Sequence, residues 1–388
     1  MSPIIVFLSD IHIGVNAPTN WYQKTVHQKY LKAILRYIRD RGSQIQDLVI
    51  LGDWFDIWTY PPNGSLPTIK DIFNKNKEIF SSVDDSGDFI SCLDSIRGQF
   101  YYIRGNHDIR VSLDEVNAHF RPLSRYGREI RGEISENNVY QSGEIYAEHG
   151  HVYSLFCRGD QNTTNRYRPL PLGYYILRTA ALICKHKLVE QGLENAALLP
   201  NFGGPVFNVV SELFSMPYIL GLLKGKMTLA QAVLFDLVGL AGERYPINFV
   251  YTMEDWSQIN AFDAAAMFPG LSINKWNDFL GLMVDVLNEL DSQGEALTQH
   301  HKIVVLGHTH IPKIVQHYDL TKRNNTITKS VYINTGYLCA CKPYLDSGRG
   351  QLTFAEVEKE NGVQTLRLKK VDYPSTNIVT LAECTLET

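Results

Sequence analysis

Hydrophobic residues in the first hundred or so positions alternate between short continuous runs and longer periodic stretches. The runs at 3–9, 47–51 and 100–104 are short and rich in β-branched or aromatic residues, which is typical of strands buried on both faces. Between them, residues 24–41 and 89–96 place apolar side chains at helical spacing. Strands that alternate with helices predict an α/β fold with layered elements.

The strand pattern reappears later in the chain. Further strands are predicted at 138–147, 302–306 and 331–334, and a strand-rich tail covers 351–358 and 365–371. The long interval between the first and second of these strands indicates that something has been inserted into an α/β domain.

The inserted part, residues 152–299, has long apolar-rich windows that we interpret as helices at 172–184, 206–223 and 230–240. Charged residues interrupt each window. None reaches the ~20 uninterrupted apolar residues that a membrane-spanning helix needs. The sequence therefore predicts a helical subdomain that does not span a bilayer.

Two units follow from this pattern: an α/β domain formed by residues 1–151 and 300–388, and an inserted helical cap subdomain at 152–299. The insertion starts and ends beside the motifs described below, so a lid over that site is the first interpretation. A dimer interface and a peripheral membrane contact are the alternatives. The oligomeric state is left open.

Composition places the chain among soluble globular proteins, with 388 residues, 44% of them hydrophobic and 20% charged. A net charge of −4 gives no global basic field, so nucleic acid is a partner that the sequence does not favour. The six cysteines are scattered and show no disulfide framework, and the start of the chain has no signal-peptide pattern. We expect reduced thiols and a cytoplasmic location.

Ligand-type side chains cluster where the predicted strands end, which is where open α/β sheets bind ligands. Carboxylate, imidazole and amide groups together suit divalent ions such as Mn²⁺, Fe²⁺ or Zn²⁺. Residues two apart in an extended segment point the same way, so pairs such as His308 and His310 converge on one region. The five clusters are Asp10-Ile11-His12, Gly52-Asp53-Trp54-Phe55-Asp56, Gly105-Asn106-His107-Asp108, Glu148-His149-Gly150-His151 and Gly307-His308-Thr309-His310.

These clusters resemble the motifs of the calcineurin-like metallophosphoesterase superfamily, which are D-x-H, G-D-x-x-D, G-N-H-D/E, H and G-H-x-H. The resemblance covers about residues 1–151 and 300–340. It implies a layered metallophosphoesterase-type β-sandwich flanked by helices. The large helical insertion is not explained by it.

The resemblance also implies two metal ions that share Asp53 as a bridging ligand. Mn²⁺ is the first choice, with Fe²⁺, Zn²⁺ and Mg²⁺ as alternatives. His149 is preferred over its alternative His151, because the family's ligand usually precedes the glycine. The first ion would be held by Asp10, His12, Asp53 and His310, and the second by Asp53, Asn106, His149 and His308.

The activity implied is hydrolysis of phosphate ester or pyrophosphate bonds by a hydroxide that bridges the two ions. His107 would stabilise charge or protonate the leaving oxygen, and Asp56 would orient His107. Arg104 is predicted to clamp a phosphate group. The enzyme would be a phosphatase, phosphodiesterase or pyrophosphohydrolase.

A narrower resemblance concerns the substrate. Residues 52–58 and 332–336 resemble stretches of bacterial UDP-2,3-diacylglucosamine pyrophosphohydrolases, whose helical insertion receives acyl chains. A phosphate-containing small molecule or a lipid-linked substrate is therefore expected. Ile57, where protein serine/threonine phosphatases have arginine, disfavours that group. A nuclease or cyclic-nucleotide phosphodiesterase is the alternative activity, and a non-catalytic scaffold of this fold is the alternative class.

Overall fold

The computed structural model describes most of the predicted α/β domain and scattered positions at the start of the insertion. The described residues are 2–61, 64–82, 87–132, 138–153, 157, 159, 169–171, 173–175, 177–178, 181, 296–298, 300–321, 326–340, 345–348 and 350–387.

The elements whose bounds lie wholly within these residues are five α-helices, eleven strands and a short 3-10 helix at His151–Tyr153, and further helical positions are scattered through the rest of the described chain. The helices are α1 (Lys24–Asp40), α2 (Ile69–Lys75), α3 (Lys77–Phe80), α4 (Phe89–Ser95) and α5 (Leu113–Phe120). The strands are β1 (Ile4–Leu8), β2 (Ile45–Leu51), β3 (Gln99–Ile103), β4 (Tyr140–Ser142), β5 (Ile145–Ala147), β6 (Ile303–Leu306), β7 (Lys313–Thr321), β8 (Thr326–Asn334), β9 (Leu352–Glu360), β10 (Val363–Val371) and β11 (Ile378–Glu387).

The strands form two mixed sheets. The first has the order β11-β10-β9-β1-β2-β3, and the second has the order β4-β5-β6-β8-β7. Strands β1, β2 and β3 are parallel to one another, as are β5, β6 and β8. The carboxyl ends of each parallel set therefore lie at one edge of its sheet.

Two hydrophobic cores make the molecule layered. The core between the sheets contains Phe7 and Val49 from the first sheet and Val305 and Ile333 from the second. The core on the other side of the first sheet contains strand residues such as Val6 together with the buried faces of the helices. Strands β1 and β2 are thus covered on both faces, which explains their continuous apolar runs. The predicted fold class, an α/β β-sandwich flanked by helices, is confirmed.

Most elements of the α/β domain lie where the hydrophobic pattern predicts them, and the misses have local causes. The single strand predicted at 138–147 is a hairpin of β4 and β5, because Gly143 has a positive φ of 59° and turns the chain. Helices α2, α3 and α5 were not predicted. Strands β7 and β11 were missed because they lie at sheet edges, where polar residues interrupt the apolar pattern.

The start of the insertion packs on the α/β domain. Residues 173–175 and 177–178 are helical, as the window at 172–184 predicts, and Tyr174, Tyr175 and Leu177 are buried in the core on the helix side of the first sheet. The other two predicted helical windows, at 206–223 and 230–240, lie outside the described residues. Among the described helices, none combines the length and the apolar character needed to cross a membrane.

Candidate metal centre

The loops that follow the parallel strands of both sheets meet in one place. The amide of Asp10 donates to the carbonyl of Gly52 at 3.2 Å, which joins the loops after β1 and β2. The amide of Gly307 donates to the carbonyl of His149 at 3.2 Å, which joins the loops after β5 and β6. The amide of Leu338 donates to the carbonyl of Asp10 at 3.1 Å and links the two sheets. The five sequence clusters therefore form one site.

The backbone at this site adopts an uncommon conformation. Non-glycine residues rarely have positive φ, because the Cβ then crowds the backbone carbonyl. Five of the seven predicted metal ligands nevertheless do so, which is a concentration of backbone strain typical of functional sites. They are Asp10 (51°), His12 (55°), Asp53 (51°), His308 (70°) and His310 (59°).

Two glycines let the carboxylates sit against the neighbouring backbone. A Cβ on Gly307 would lie 2.7 Å from Asp10 Oδ2, and a Cβ on Gly105 would clash with Asp53 Oδ1. Any side chain at either position would displace a predicted ligand. The glycines of the motifs are therefore required by close approach.

The structure brings Asp10, His12 and His310 together as a first cluster, with their ligand atoms within 4.8 Å of one another. His310 Nε2 lies 3.1 Å from Asp10 Oδ1 and 3.3 Å from His12 Nε2. The other carboxylate oxygen of Asp10 accepts the amide proton of His308 at 3.0 Å. One oxygen of Asp10 is thus held by the backbone while the other faces the imidazoles.

A second cluster contains Asp53, His149 and His308, again with ligand atoms within 4.8 Å of one another. His149 Nε2 lies 3.3 Å from Asp53 Oδ2 and 3.2 Å from Asn106 Oδ1, so the predicted amide ligand is adjacent. His149 Nδ1 donates to the carbonyl of Leu51 at 2.9 Å. That bond directs Nε2 toward the cluster, as hydrogen bonds behind metal-ligating histidines usually do.

Asp53 lies between the two clusters. Its Oδ2 is 3.6 Å from His12 Nε2 of the first cluster and 3.3 Å from His149 Nε2 of the second. Its Oδ1 accepts the amide proton of His107 at 2.8 Å. The Asp53 carboxylate therefore lies where it can bridge two metal ions, one in each cluster.

His107 is held beside this carboxylate. Its Nδ1 lies 3.1 Å from Asp56 Oδ1, and Asp56 in turn accepts hydrogen bonds from the amides of Trp58 and Thr59 and from the Thr59 hydroxyl. The predicted orienting contact between Asp56 and His107 is therefore present. His107 also has a nitrogen within 4.8 Å of ligand atoms of His12 and Asp53.

Buried charge at the site is balanced by mutual contact. Burial alone would raise the pKa of Asp53, but His149 and His107 outweigh it and hold the pKa of Asp53 well below its ordinary value. Burial would lower the pKa of His149, yet Asp53 and Asp10 raise it to about 10. For His12 and His308, burial lowers the pKa, which leaves these rings neutral. Positive charge on His149 and His107 thus stabilises the buried Asp53 carboxylate, and the neutral rings of His12 and His308 each have a nitrogen lone pair that can bind a cation.

The remaining predicted residues surround the clusters. The backbone amide and carbonyl of Arg104 both form hydrogen bonds with the Asn138 side chain. The Arg104 guanidinium donates to the carbonyl of Ile109 at 3.4 Å. Asp108 accepts the amide protons of Trp54 and Gly105 and so fastens two of the ligand loops together. His151 is buried, with its ring centroid 5.5 Å from that of His149.

Sequence reasoning missed the aromatic frame of the site, formed by Trp21, Trp58 and Tyr337. The Trp21 ring lies 4.5 Å from His12, 4.8 Å from His107 and 5.5 Å from His310, measured between centroids. Tyr337 stacks on His310 at 4.9 Å, and Trp58 stacks on His107 at 4.5 Å. No sequence spacing relates Trp21 or Tyr337 to the motifs, so only the fold reveals these contacts.

A polar support behind the second sheet was also missed. Asn334 donates to the carbonyl of Gly307 at 2.8 Å and to the hydroxyl of Thr309 at 2.9 Å, and its own Oδ1 accepts the amide proton of Gly336. Asn334 thereby fixes the loop that carries His308 and His310. Its position at the end of β8, in the Tyr-Ile-Asn-Thr-Gly stretch, was the only available signal.

The donor set fits divalent cations. It offers two carboxylates, an amide oxygen and four imidazoles, and five of these seven ligands stand at strained backbone positions. The first cluster contains three of the four residues predicted to hold the first ion, and the second cluster contains three of the four predicted to hold the second ion. The division of ligands between two ions stays a prediction.

Comparison with protein-family models agrees with this donor set. A model of the family described as calcineurin-like phosphoesterase matches residues 4–190. No curated protein matches the chain significantly. Solved structures with similarity include Vacuolar Protein Sorting 29 from Cryptosporidium parvum (TM-score 0.34, 9% identity, covering 100% of both chains) and a predicted phosphoesterase from Streptococcus pneumoniae (TM-score 0.30, 11% identity, covering 100% of this chain and 99% of the other). A Vps29 single mutant from Entamoeba histolytica has a TM-score of 0.32 at 9% identity and covers 99% of both chains.

Proposed function

We propose that this chain, whose resemblance to the calcineurin-like phosphoesterases is borne out over residues 4–190, is a hydrolase of phosphate ester or pyrophosphate bonds that depends on two divalent cations. The observation that carries the proposal is the position of Asp53 between two ligand clusters. A single shared carboxylate with imidazoles on both sides is an arrangement suited to a pair of ions.

Asp10, His12, Asp53 and His310 would hold one cation, and Asp53, Asn106, His149 and His308 would hold the other. When bound, such ions lower the pKa of a coordinated water and neutralise the charge of a phosphate group. The protein supplies the fixed positions. Leu51 and Asn334 hold the ligand-bearing groups from behind, so little reorganisation accompanies the reaction.

His107 stabilises the leaving oxygen in this proposal. Burial would lower the pKa of His107, but Asp53 and Asp56 raise it above its ordinary value, which favours the protonated ring. Asp56 fixes the ring through Nδ1, and that leaves Nε2 to donate toward the substrate. Arg104 is proposed to bind a phosphate oxygen on the same side of β3.

The surroundings of the site support a substrate with an apolar portion. The aromatic frame flanks three of the histidines, and the exposed hydrophobic residues Val152 and Ile311 directly follow His151 and His310. Burying an apolar group here would contribute ~25 cal/mol per Å². A lipid-linked phosphate or pyrophosphate is the substrate class that we propose, with Val152–His300 as its cover.

The metal part of the proposal is tested by measuring metal content and activity of protein purified without chelator. We expect about two equivalents of divalent metal in the wild type, and we expect Asp53→Asn to lose both metal and activity. The control is Asp47→Asn, which alters a buried, hydrogen-bonded carboxylate away from the site. Undiminished metal and activity in Asp53→Asn would overturn the assignment.

The substrate part is tested with a panel assayed in the presence of Mn²⁺. Nucleotide-sugar lipids, dinucleotide polyphosphates, cyclic nucleotides and single-stranded DNA represent the competing classes. We expect lipid-bearing pyrophosphates to be preferred, and the preference to fall when residues 182–295 are replaced by a short loop with metals retained. This replacement keeps Tyr174 and Arg178, which pack on the α/β domain. Equal cleavage of cyclic nucleotides or DNA would remove the lipid-linked substrate from the proposal.

A further inference from the structure

Arg178, which lies in the predicted insertion, is buried against the loop that follows the second ligand motif. Its side chain is only 7% exposed. Its Nε donates to the carbonyl of Tyr60 at 3.0 Å, and its Nη2 donates to the carbonyl of Pro61 at 2.9 Å. Arginine is rarely buried unless its donors are used, so this contact is a specific one. Arg178 therefore fixes the backbone just beyond Trp58 and Thr59.

The same arginine holds an aromatic ring in place. Arg178 Nη1 donates to the hydroxyl of Tyr174 at 2.6 Å, and the guanidinium lies 5.3 Å from the centroid of the Tyr174 ring. Tyr174 meets Trp58 in an edge-on contact, with 5.9 Å between ring centroids and an interplanar angle of 80°. Such edge-to-face pairs restrict both rings. Tyr174 is thus the contact between Arg178 and Trp58.

Trp58 completes a path to His107. The indole stacks on the imidazole with 4.5 Å between centroids and an interplanar angle of 21°. Asp56, two residues earlier in the same loop, accepts from Trp58 through the backbone amide and contacts His107 Nδ1. The loop therefore restrains His107 twice: Asp56 fixes one ring nitrogen and Trp58 fixes one ring face.

We infer that Arg178 and Tyr174 are positioning residues for His107, acting through Trp58 and the loop at 56–61. The inference rests on the proposed function, in which His107 stabilises the leaving oxygen. Loss of Arg178 leaves the ligand clusters intact, because none of its contacts reaches them, but it releases the loop that carries both restraints on the imidazole. The start of the insertion is then part of the catalytic domain.

The test uses leaving-group dependence, because a misplaced His107 matters most when the leaving oxygen is basic. Aryl phosphate esters whose leaving groups range from nitrophenol to phenol are assayed with metal-saturated protein, in whichever of the monoester or diester series the wild type hydrolyses. For Arg178→Gln we expect kcat to fall about tenfold or more with the phenol leaving group and less than about threefold with nitrophenol, as general acid catalysis requires. Arg178→Lys should lie between Arg178→Gln and the wild type.

Arg128 provides a matched control. Like Arg178, it donates to backbone carbonyls, those of Leu93, Ile96 and Gly98, but it lies outside the site. Arg128→Gln should lower thermal stability without changing the dependence on the leaving group. An equal loss of kcat across the ester series in Arg178→Gln, or the same graded loss in Arg128→Gln, would overturn the inference.

If Arg178→Gln does not fold, variants of Tyr174 test the same positioning role. Tyr174→Leu removes the ring that contacts Trp58, and it should give the same graded loss in a weaker form. Tyr174→Phe keeps the ring but loses the hydrogen bond from Arg178, so its loss should lie between those of Tyr174→Leu and the wild type. A uniform loss in Tyr174→Leu would also overturn the inference. If the wild type hydrolyses no ester in either series although it holds its metals, the proposed function fails instead, and the two failures are thereby distinguished.

Discussion

The two ligand clusters are built from the same residue types but are held in different ways. In the first cluster, the rings of His12 and His310 pack against Trp21 and Tyr337, and the three ligands all have positive φ. In the second cluster, hydrogen bonds orient the ligands. His149 Nδ1 donates to the Leu51 carbonyl, and His149 Nε2 lies beside Asn106 Oδ1. Ring packing restrains rotation weakly, whereas a hydrogen bond selects one tautomer and one orientation.

Exposure does not separate the clusters, because each has two buried ligands and one partly exposed histidine, which is His310 in the first cluster and His308 in the second. The comparison teaches that similar motifs can be held in two ways, and we expect the first cluster, whose rings are restrained mainly by packing, to bind its cation less tightly than the second.

Removal of one ligand from each cluster should have the largest effect. We expect His310→Ala and His149→Ala each to lose about one equivalent of metal, with affinity at the altered cluster falling by more than ~100-fold, the upper end for groups that only support a ligand. Atomic emission analysis after dialysis measures this. In the wild type, increasing chelator should strip one equivalent before the other. Loss of both equivalents in a single step would show that the clusters are not independent.

His107 should separate catalysis from metal binding, because it contacts Asp53 and Asp56 but is not a predicted ligand. We expect His107→Ala to lower turnover by ~10²-fold or more while it keeps about two equivalents of metal. Phosphate release and metal content are measured on the same preparation. Metal loss in parallel with activity would make His107 a ligand, which its place in a group with His12 and Asp53 allows.

Acid should destabilise the first-cluster side of the molecule through His27. His27 donates to the carbonyl of Ala340, in the loop that carries Tyr337, and burial lowers its pKa to about 4. The unfolded chain takes up a proton near pH 6.5 whereas the folded chain does not. This contribution is therefore complete above pH 6.5 and is lost as the pH falls toward 4, on the order of 3 kcal/mol over that range.

Denaturant unfolding at pH values between 7 and 4 tests this prediction. The free energy of unfolding should fall more steeply with decreasing pH in the wild type than in His27→Gln. His119→Gln, which removes a half-buried imidazole of α5, serves as the control and should retain the wild-type slope. Identical slopes in all three proteins would contradict the assignment to His27.

The smallest effect is expected from the ring that stacks on His310. Tyr337→Leu should weaken metal binding at the first cluster by about tenfold, the lower end for groups that orient a ligand, and leave the second cluster unchanged. Competition with a metal-binding dye would resolve the two affinities. Phe73→Leu removes a similar stack on His119 away from the site and should change neither affinity. An equal loss of metal affinity at both clusters in Tyr337→Leu would contradict the proposed difference between them.

The fold was largely predictable where local pattern and burial agree. Strands β1 and β2 were found because burial on both faces leaves an uninterrupted apolar run, and α1 was found because one of its faces is buried along the whole length. The edge strand β11 was not found, because most of its residues are at least partly exposed and the apolar signal is weak.

Among the site residues too, those marked by the local sequence pattern were predicted and those placed by tertiary packing were not. Asp10, Asp53 and His149 were identifiable because ligand-type residues stand directly after buried strands. Trp21, Tyr337 and Arg178 were not identifiable, since no motif contains them and each resembles an ordinary core or surface residue until the fold brings it beside His12, His310 or the loop at 56–61. Such contacts depend on packing between distant segments.

By itself, the sequence determined the layered α/β class and the chemistry of the site, because strand periodicity and the residue types at strand ends are local properties. Tertiary structure decided how those residues are held: which backbone positions are strained, that Asp53 lies between two clusters, and that aromatic rings support one cluster while hydrogen bonds support the other. These features arise where loops of two sheets meet, and loop geometry follows from the packing of the sheets rather than from any pattern along the chain.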